Sequence, residues 1–263
     1  MSKGKSKSKA VAVVKNEYAV SNAGMFENLG LGAGAEIDTK DILIPKLMLT
    51  QGLTKAVARG DAKVGRYINS VSELDMGDNF EALVIQSYKV WQEYKIVPND
   101  KDEYITTVDF YGNDKLPYQY KDEQGNDCKR KEVLGFYCLL LNEINEGVAF
   151  PYIIDFKGAS KGAGRELATH FAKLRSSNLP SFAKVFSFGT KMVEDKHTYY
   201  VKTVGMGRDI TREELNSVRS WIAELEKNKA NMRVDDSEEK NGDDTVDVVE
   251  ADVVNTTAGQ TKF

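Results

Sequence analysis

The chain has 263 residues, 41% of them hydrophobic and 29% charged, a balance that excludes a membrane-embedded protein yet supplies enough apolar side chains for a core. Its longest apolar run covers only 136–141, and 10–14 is shorter than a secretory h-region, so a cytoplasmic protein with no membrane partner is expected. Formal charge is -4, but Lys3, Lys5, Lys7, Lys9 and Lys15 stand without an acid over 1–15, whereas 234–263 carries nine acids and two lysines.

Residues 1–36 are Lys/Ser-rich and then Gly-rich, which predicts a flexible basic arm. The Gly30-Leu31-Gly32-Ala33-Gly34 run follows no apolar strand and misses the G-x-G-x-x-G spacing, so it reads as linker rather than a dinucleotide loop. Order is expected from Ile37, and 37–233 forms the body, beginning with an apolar segment over 42–49 that Pro45 interrupts. β-branched and aromatic runs bounded by Gly, Asn and Asp predict strands over 63–71, 80–94, 104–111, 118–121, 129–141, 148–156, 183–192 and 198–206. Turns at 124–127, 142–147 and 194–196 predict antiparallel hairpins. Leu167, Phe171 and Leu174 make one apolar stripe on a helix over 164–176, with Arg165, Thr169 and Lys173 roughly opposite. A last helix over 211–229 opens with Thr211 and Glu214 in capping-box spacing and aligns Leu215, Val218, Ile222 and Leu225. Beyond it, 234–263 is acidic and predicts a disordered tail.

The fold class expected is mainly β or α+β: an antiparallel barrel of oligonucleotide-binding (OB) type, with one inserted helix, a C-terminal helix and disordered termini. An extra hairpin over 104–131 is an insertion in that scheme. A generic antiparallel α+β domain would present the same string of elements.

Three motifs point to chemistry. Gly158-Ala159-Ser160-Lys161-Gly162 is a literal G-x-S-x-G between a strand and a helix, and Asp195 and His197 follow in triad order, but on one hairpin and without an oxyanion loop. In the same segment Lys157, Lys161 and Arg165 surround a glycine-rich helix entry, where free N–H groups favour a phosphate. Asp109 with Asp127, Cys128 and Lys129 is the loose counterpart of a nuclease's acids and lysine. Neither cysteines nor histidines have ligand spacing, so no metal or cofactor is expected.

Aromatics interleaved with bases carry more weight, because every base offers a π-face and every nucleotide a phosphate. Tyr88, Lys89, Trp91 and Tyr94 lie on one strand. Tyr111, Tyr118 and Tyr120 crowd the insertion with Lys129, Arg130 and Lys131. With Lys157, Lys161 and Arg165 they form the expected nucleic-acid surface. Trp91 is expected as a stacking platform; strand parity separates it from Tyr88 and Tyr94. Phe263, at the end of the acidic tail, is the expected contact to a protein partner.

A lysine-rich arm, the element order from Gly65 to Met206, and an acidic tail ending in Phe263 resemble a bacteriophage single-stranded DNA-binding protein of the T7-like class. Phe150-Pro151-Tyr152-Ile153-Ile154-Asp155-Phe156 leading into the helix, and Pro180-Ser181-Phe182-Ala183-Lys184 leading out, also look like phage replication-module proteins. The resemblance implies a non-enzymatic protein that coats and anneals single strands in phage DNA replication and recombination, in the host cytoplasm. Its implied partners are single-stranded DNA, replisome proteins (polymerase, helicase or primase) reached through the tail, and a second copy of the chain. The alternatives are a metal-dependent recombination nuclease, a serine hydrolase and a virion-associated structural or interaction protein.

Overall fold

The computed structural model describes residues 43–98, 102–227 and 233–234. The expected arm, most of the tail and Phe263 lie outside the described residues. The spine is an antiparallel pair, β5 (Asn79–Lys95) and β8 (Asp127–Leu140), in register from Ala82 opposite Leu140 to Lys95 opposite Cys128. These strands run far beyond the usual five or six residues, and different neighbours flank their two ends. At the inner end β10 (Lys184–Glu194) pairs with β5, β11 (Thr198–Asp209) with β10, and β9 (Pro151–Phe156) with β8. All these pairings are antiparallel, in the order β11-β10-β5-β8-β9. At the outer end β6 (Glu103–Asp109) adds to β5 and β7 (Gln119–Lys121) to β8. The expected insertion is therefore no separate hairpin; its two strands widen the spine from either side.

A bulge decides which way the outer spine faces. Val84 pairs with Cys138 and Gln86 with Tyr137, leaving Ile85 as the extra residue. Before it, Ala82 and Val84 share a core face with Cys138 and Leu140; after it, Lys89 and Trp91 share that face with Leu134 and Glu132. One face of the sheet packs Phe136, Phe156 and Phe186 under Leu167, Phe171 and Leu174 of α3 (Lys161–Ser176), as the apolar stripe predicts. Gly164 permits the close approach, since a Cβ there would lie 2.7 Å from that of Phe156. The other face packs Leu83, Tyr137, Leu139 and Ile153 under Ile144 of α2 (Leu141–Glu146) and Val218 and Ile222 of α4 (Arg212–Lys227). The capping box forms as predicted: the Thr211 N–H donates to Glu214 Oε2 (2.8 Å) and the Glu214 N–H to Thr211 Oγ1 (3.2 Å). The expected turn over 142–147 is helix α2, stopped by Gly147 at φ 73°.

Ahead of the spine lie β1 (Leu43–Ile44), β2 (Leu47–Leu49), α1 (Lys55–Arg59), β3 (Tyr67–Asn69) and β4 (Asp75–Gly77). β2, β3 and β4 form a small sheet, and β1 pairs with β12 (Arg233–Val234). The expected closed barrel is not formed, because no ladder joins β9 to β11. The chain turns into α3 straight after β9, and Ser160 Oγ accepts the outward Lys202 N–H of β11 (3.0 Å). The gap is spanned instead by 45–51. The Ile153 N–H donates to the Pro45 carbonyl (2.9 Å), and the Gln51 side-chain amide bonds both backbone groups of Tyr200. Lys202 Nζ crosses the same gap to Asp155 Oδ1 and to the Asp155 carbonyl, both at 2.7 Å. Burial would raise the Asp155 carboxyl, but Lys202, Lys157 and Lys46 outweigh it and hold it far below the usual carboxylate range.

Candidate functional site

The outer half of the spine and α3 leave a groove between them. Residues 110–118, connecting β6 to β7, form its outer lip, and four side-chain bonds pin that segment: Trp91 Nε1 to the Asn113 carbonyl (3.1 Å), Asn113 Nδ2 to the Asp109 carbonyl (2.9 Å), Arg130 Nη1 to the Pro117 carbonyl (2.9 Å), and the Tyr111 N–H to Asp109 Oδ1 (3.1 Å). The groove is open to solvent and has a volume of about 590 Å³. Trp91, Phe110, Leu116 and Tyr118 supply its apolar wall; Arg165, Ala168 and Thr169 of α3 supply the opposite one.

Its floor is charged and internally paired. Glu132 Oε1 lies 2.7 Å from Lys89 Nζ and Oε2 lies 2.8 Å from Lys161 Nζ. Lys89 Nζ also sits 3.5 Å above the Phe110 ring. Burial works against the charged Glu132, yet its bonds to Lys161 and Lys89 prevail and hold the carboxyl below its ordinary value. Two cations and one anion leave a single positive charge beneath the groove.

Of the residues expected from sequence, Lys89, Trp91, Tyr118, Lys161 and Arg165 meet at this groove. Trp91 requires a correction. It is 2% exposed, with Phe110 at 5.0 Å and Tyr118 edge-on at 5.3 Å, so neighbouring rings occupy the faces a base would need. The exposed rings are Tyr118 (55%) and Tyr111 (73%). Tyr88 and Tyr94 lie on the opposite face, Tyr88 over Gly135 and beside Tyr137, and Tyr94 buried with its hydroxyl on Gln92 (3.0 Å). Lys131 stands on that face too, 4.7 Å above the Tyr94 ring.

Several expected phosphate contacts are committed to acids. Lys129 pairs with Asp102, and Arg130 pairs with Glu93 at 2.6 Å while stacking on Tyr120 at 3.7 Å. Burial and then Glu93 push the Tyr120 phenol up to about 12. Lys161 turns inward to Glu132 and Lys157 sits half-buried near Asp155, so the three cations expected around the helix entry do not converge. Besides Arg165, α3 exposes two cations that were not among the expected contacts, Lys173 and Arg175, one on each flank of the helix; among the described residues none of the three has an ion pair. The i, i+4, i+8 spacing of Arg165, Thr169 and Lys173 was the signal for Lys173; Arg175, next to Leu174, is outside that spacing.

The enzyme-like motifs are dispersed. Ser160 Oγ serves the Lys202 N–H, while Asp195 and His197 occupy the β10–β11 turn, five residues away along β11 or about 16 Å. Asp109 stands level with Val133 across Val90, six residues or about 20 Å along β8 from Asp127, which pairs with Lys121. Among the described residues no three His, Cys, Asp or Glu side chains converge as metal ligands, and no helix is long and apolar enough to cross a membrane. No family model matches this sequence, and no curated protein is found to be similar to it.

Proposed function

We propose that this protein binds single-stranded DNA in the groove between α3 and 110–118. The observation that carries the reading is the pairing of chemistries across that groove: exposed tyrosine rings at one lip and, on the other, Arg165, exposed and without an ion pair among the described residues, with the exposed Lys173 and Arg175 on the two flanks of the same helix. Stacking platforms beside a cationic track are what sequence-tolerant single-strand binders require. The strand order supports an OB-type reading. Taking β5, β8, β9, β10 and β11 as the five barrel strands, α3 falls between the third and fourth, and the lip belongs to the loop between the first two, one of the loops OB folds use for oligonucleotides. α4 covers the outer face of the sheet with Val218 and Ile222, which favours the α3 side for a ligand.

The wider role, coating and annealing single strands in phage DNA replication and recombination with replisome partners at the acidic tail, rests on the resemblance of arm, element order and tail. An electrophoretic shift with labelled oligothymidine, competed by duplex and by RNA, with and without Mg²⁺, tests the function. A shift that duplex fails to compete supports the proposal. Mg²⁺-dependent cleavage overturns it in favour of a nuclease, and no shift overturns it in favour of a virion or interaction protein.

A further inference from the structure

We infer, on the reading that this groove takes single-stranded DNA, that it prefers an unpaired guanine. The two lips differ in hydrogen-bonding sense. Arg165 on α3 is exposed and has no ion pair among the described residues. Asp114 on the opposite lip is exposed and has neither a hydrogen bond nor an ion pair among them. A guanidinium only donates and a carboxylate only accepts, so an occupant spanning the groove must offer acceptors on one edge and donors on another.

Guanine meets both demands. Its adjacent O6 and N7 acceptors suit a bidentate arginine, and its N1–H and N2 amine point together from the pairing edge toward a carboxylate. Thymine has one N–H between two carbonyls there. Adenine and cytosine place an acceptor nitrogen beside their amine, which a carboxylate repels. The exposed Tyr118 ring, held edge-on by Trp91, supplies a surface on which the purine stacks. Glu132 also lines the groove but does not compete for the donors, because Lys89 and Lys161 occupy its two oxygens. The carboxylate contact uses the pairing edge, so a base inside a duplex is excluded.

The test is fluorescence anisotropy with four labelled strands: a short oligothymidine, and the same strand with a central guanine, a hypoxanthine lacking the N2 amine, or a 7-deazaguanine lacking N7. The guanine strand is expected to bind about five- to tenfold more tightly than oligothymidine, the low end of a bidentate contact, and each altered purine to lose most of that gain. In Asp114→Asn, with folding checked by thermal melting, guanine and hypoxanthine are expected to bind alike. Equal affinity for all four strands, or an undiminished guanine preference in Asp114→Asn, overturns the inference and leaves single-strand binding standing. Failure of every strand to bind overturns the underlying reading as well.

Discussion

Trp91→Ala separates a structural ring from a stacking ring. The indole is 2% exposed, lies between Phe110 and Tyr118, and holds the 110–118 lip through its bond to the Asn113 carbonyl. Truncation removes a full aromatic from a packed site, a class of change that costs about 3–5 kcal/mol, and the lost bond to a half-exposed carbonyl contributes about 1 kcal/mol of the loss. Trp91→Phe keeps most of the ring and forfeits chiefly that bond, so about 1–2 kcal/mol is expected. Urea denaturation followed by circular dichroism measures both, and oligothymidine affinity is taken below the transition. The expected result is a large stability loss for Ala, a small one for Phe, and binding that weakens with the loosened lip. A Trp91→Ala protein of nearly wild-type stability that has lost its DNA affinity would refute the structural role and restore Trp91 as a platform.

Neutralising Arg165, Lys173 and Arg175 together to glutamine, which keeps helix propensity, is expected to make the slope of log K against log salt shallower by about 0.7–1.4, one or two phosphate contacts at about 0.7 each, with a nearly unchanged melting temperature; an unaltered slope in a salt titration would remove α3 from the interface. Asp155→Asn strands Lys202 without its charge partner, and a destabilisation of about 3–5 kcal/mol is expected in urea melts. An apolar pair, Asp155→Leu with Lys202→Met, is expected to recover most of it, and failure to recover would mean that the bonds across the β9–β11 gap matter more than the charge. Arg208 and the Thr211 N–H hold the Glu214 carboxyl down to about 2, and Asp155 also lies below its ordinary range. The unfolded chain therefore binds protons at these groups that the folded one does not, so their stabilisation is complete above the ordinary carboxylate range near pH 4 and is lost as pH falls toward 2. Urea midpoints across that window check it, and Glu214→Gln is expected to flatten the fall.

Local pattern was enough for the elements whose stability is local or periodic. Alternating β-branched and aromatic residues marked the two spine strands to within a few residues at each end, Leu167, Phe171 and Leu174 marked α3, and Thr211 with Glu214 marked the start of α4. The tertiary structure decided what depends on partners distant in sequence. The bulge at Ile85, which no local residue type announces, set the face on which Trp91 lies. Register then brought Arg130 to Glu93 and Lys161 to Glu132, withdrawing from the surface cations that composition alone made look available. Arg165, Lys173 and Arg175 kept their charge uncommitted because they stand off the stripe that anchors α3, Arg165 opposite it and the other two on its flanks, where register brings them no acid. An isolated segment carries its own hydrogen-bonding period and hydrophobic face, but an ion pair or an enclosed ring exists only once two segments are held side by side, and that is a property of the packed sheet.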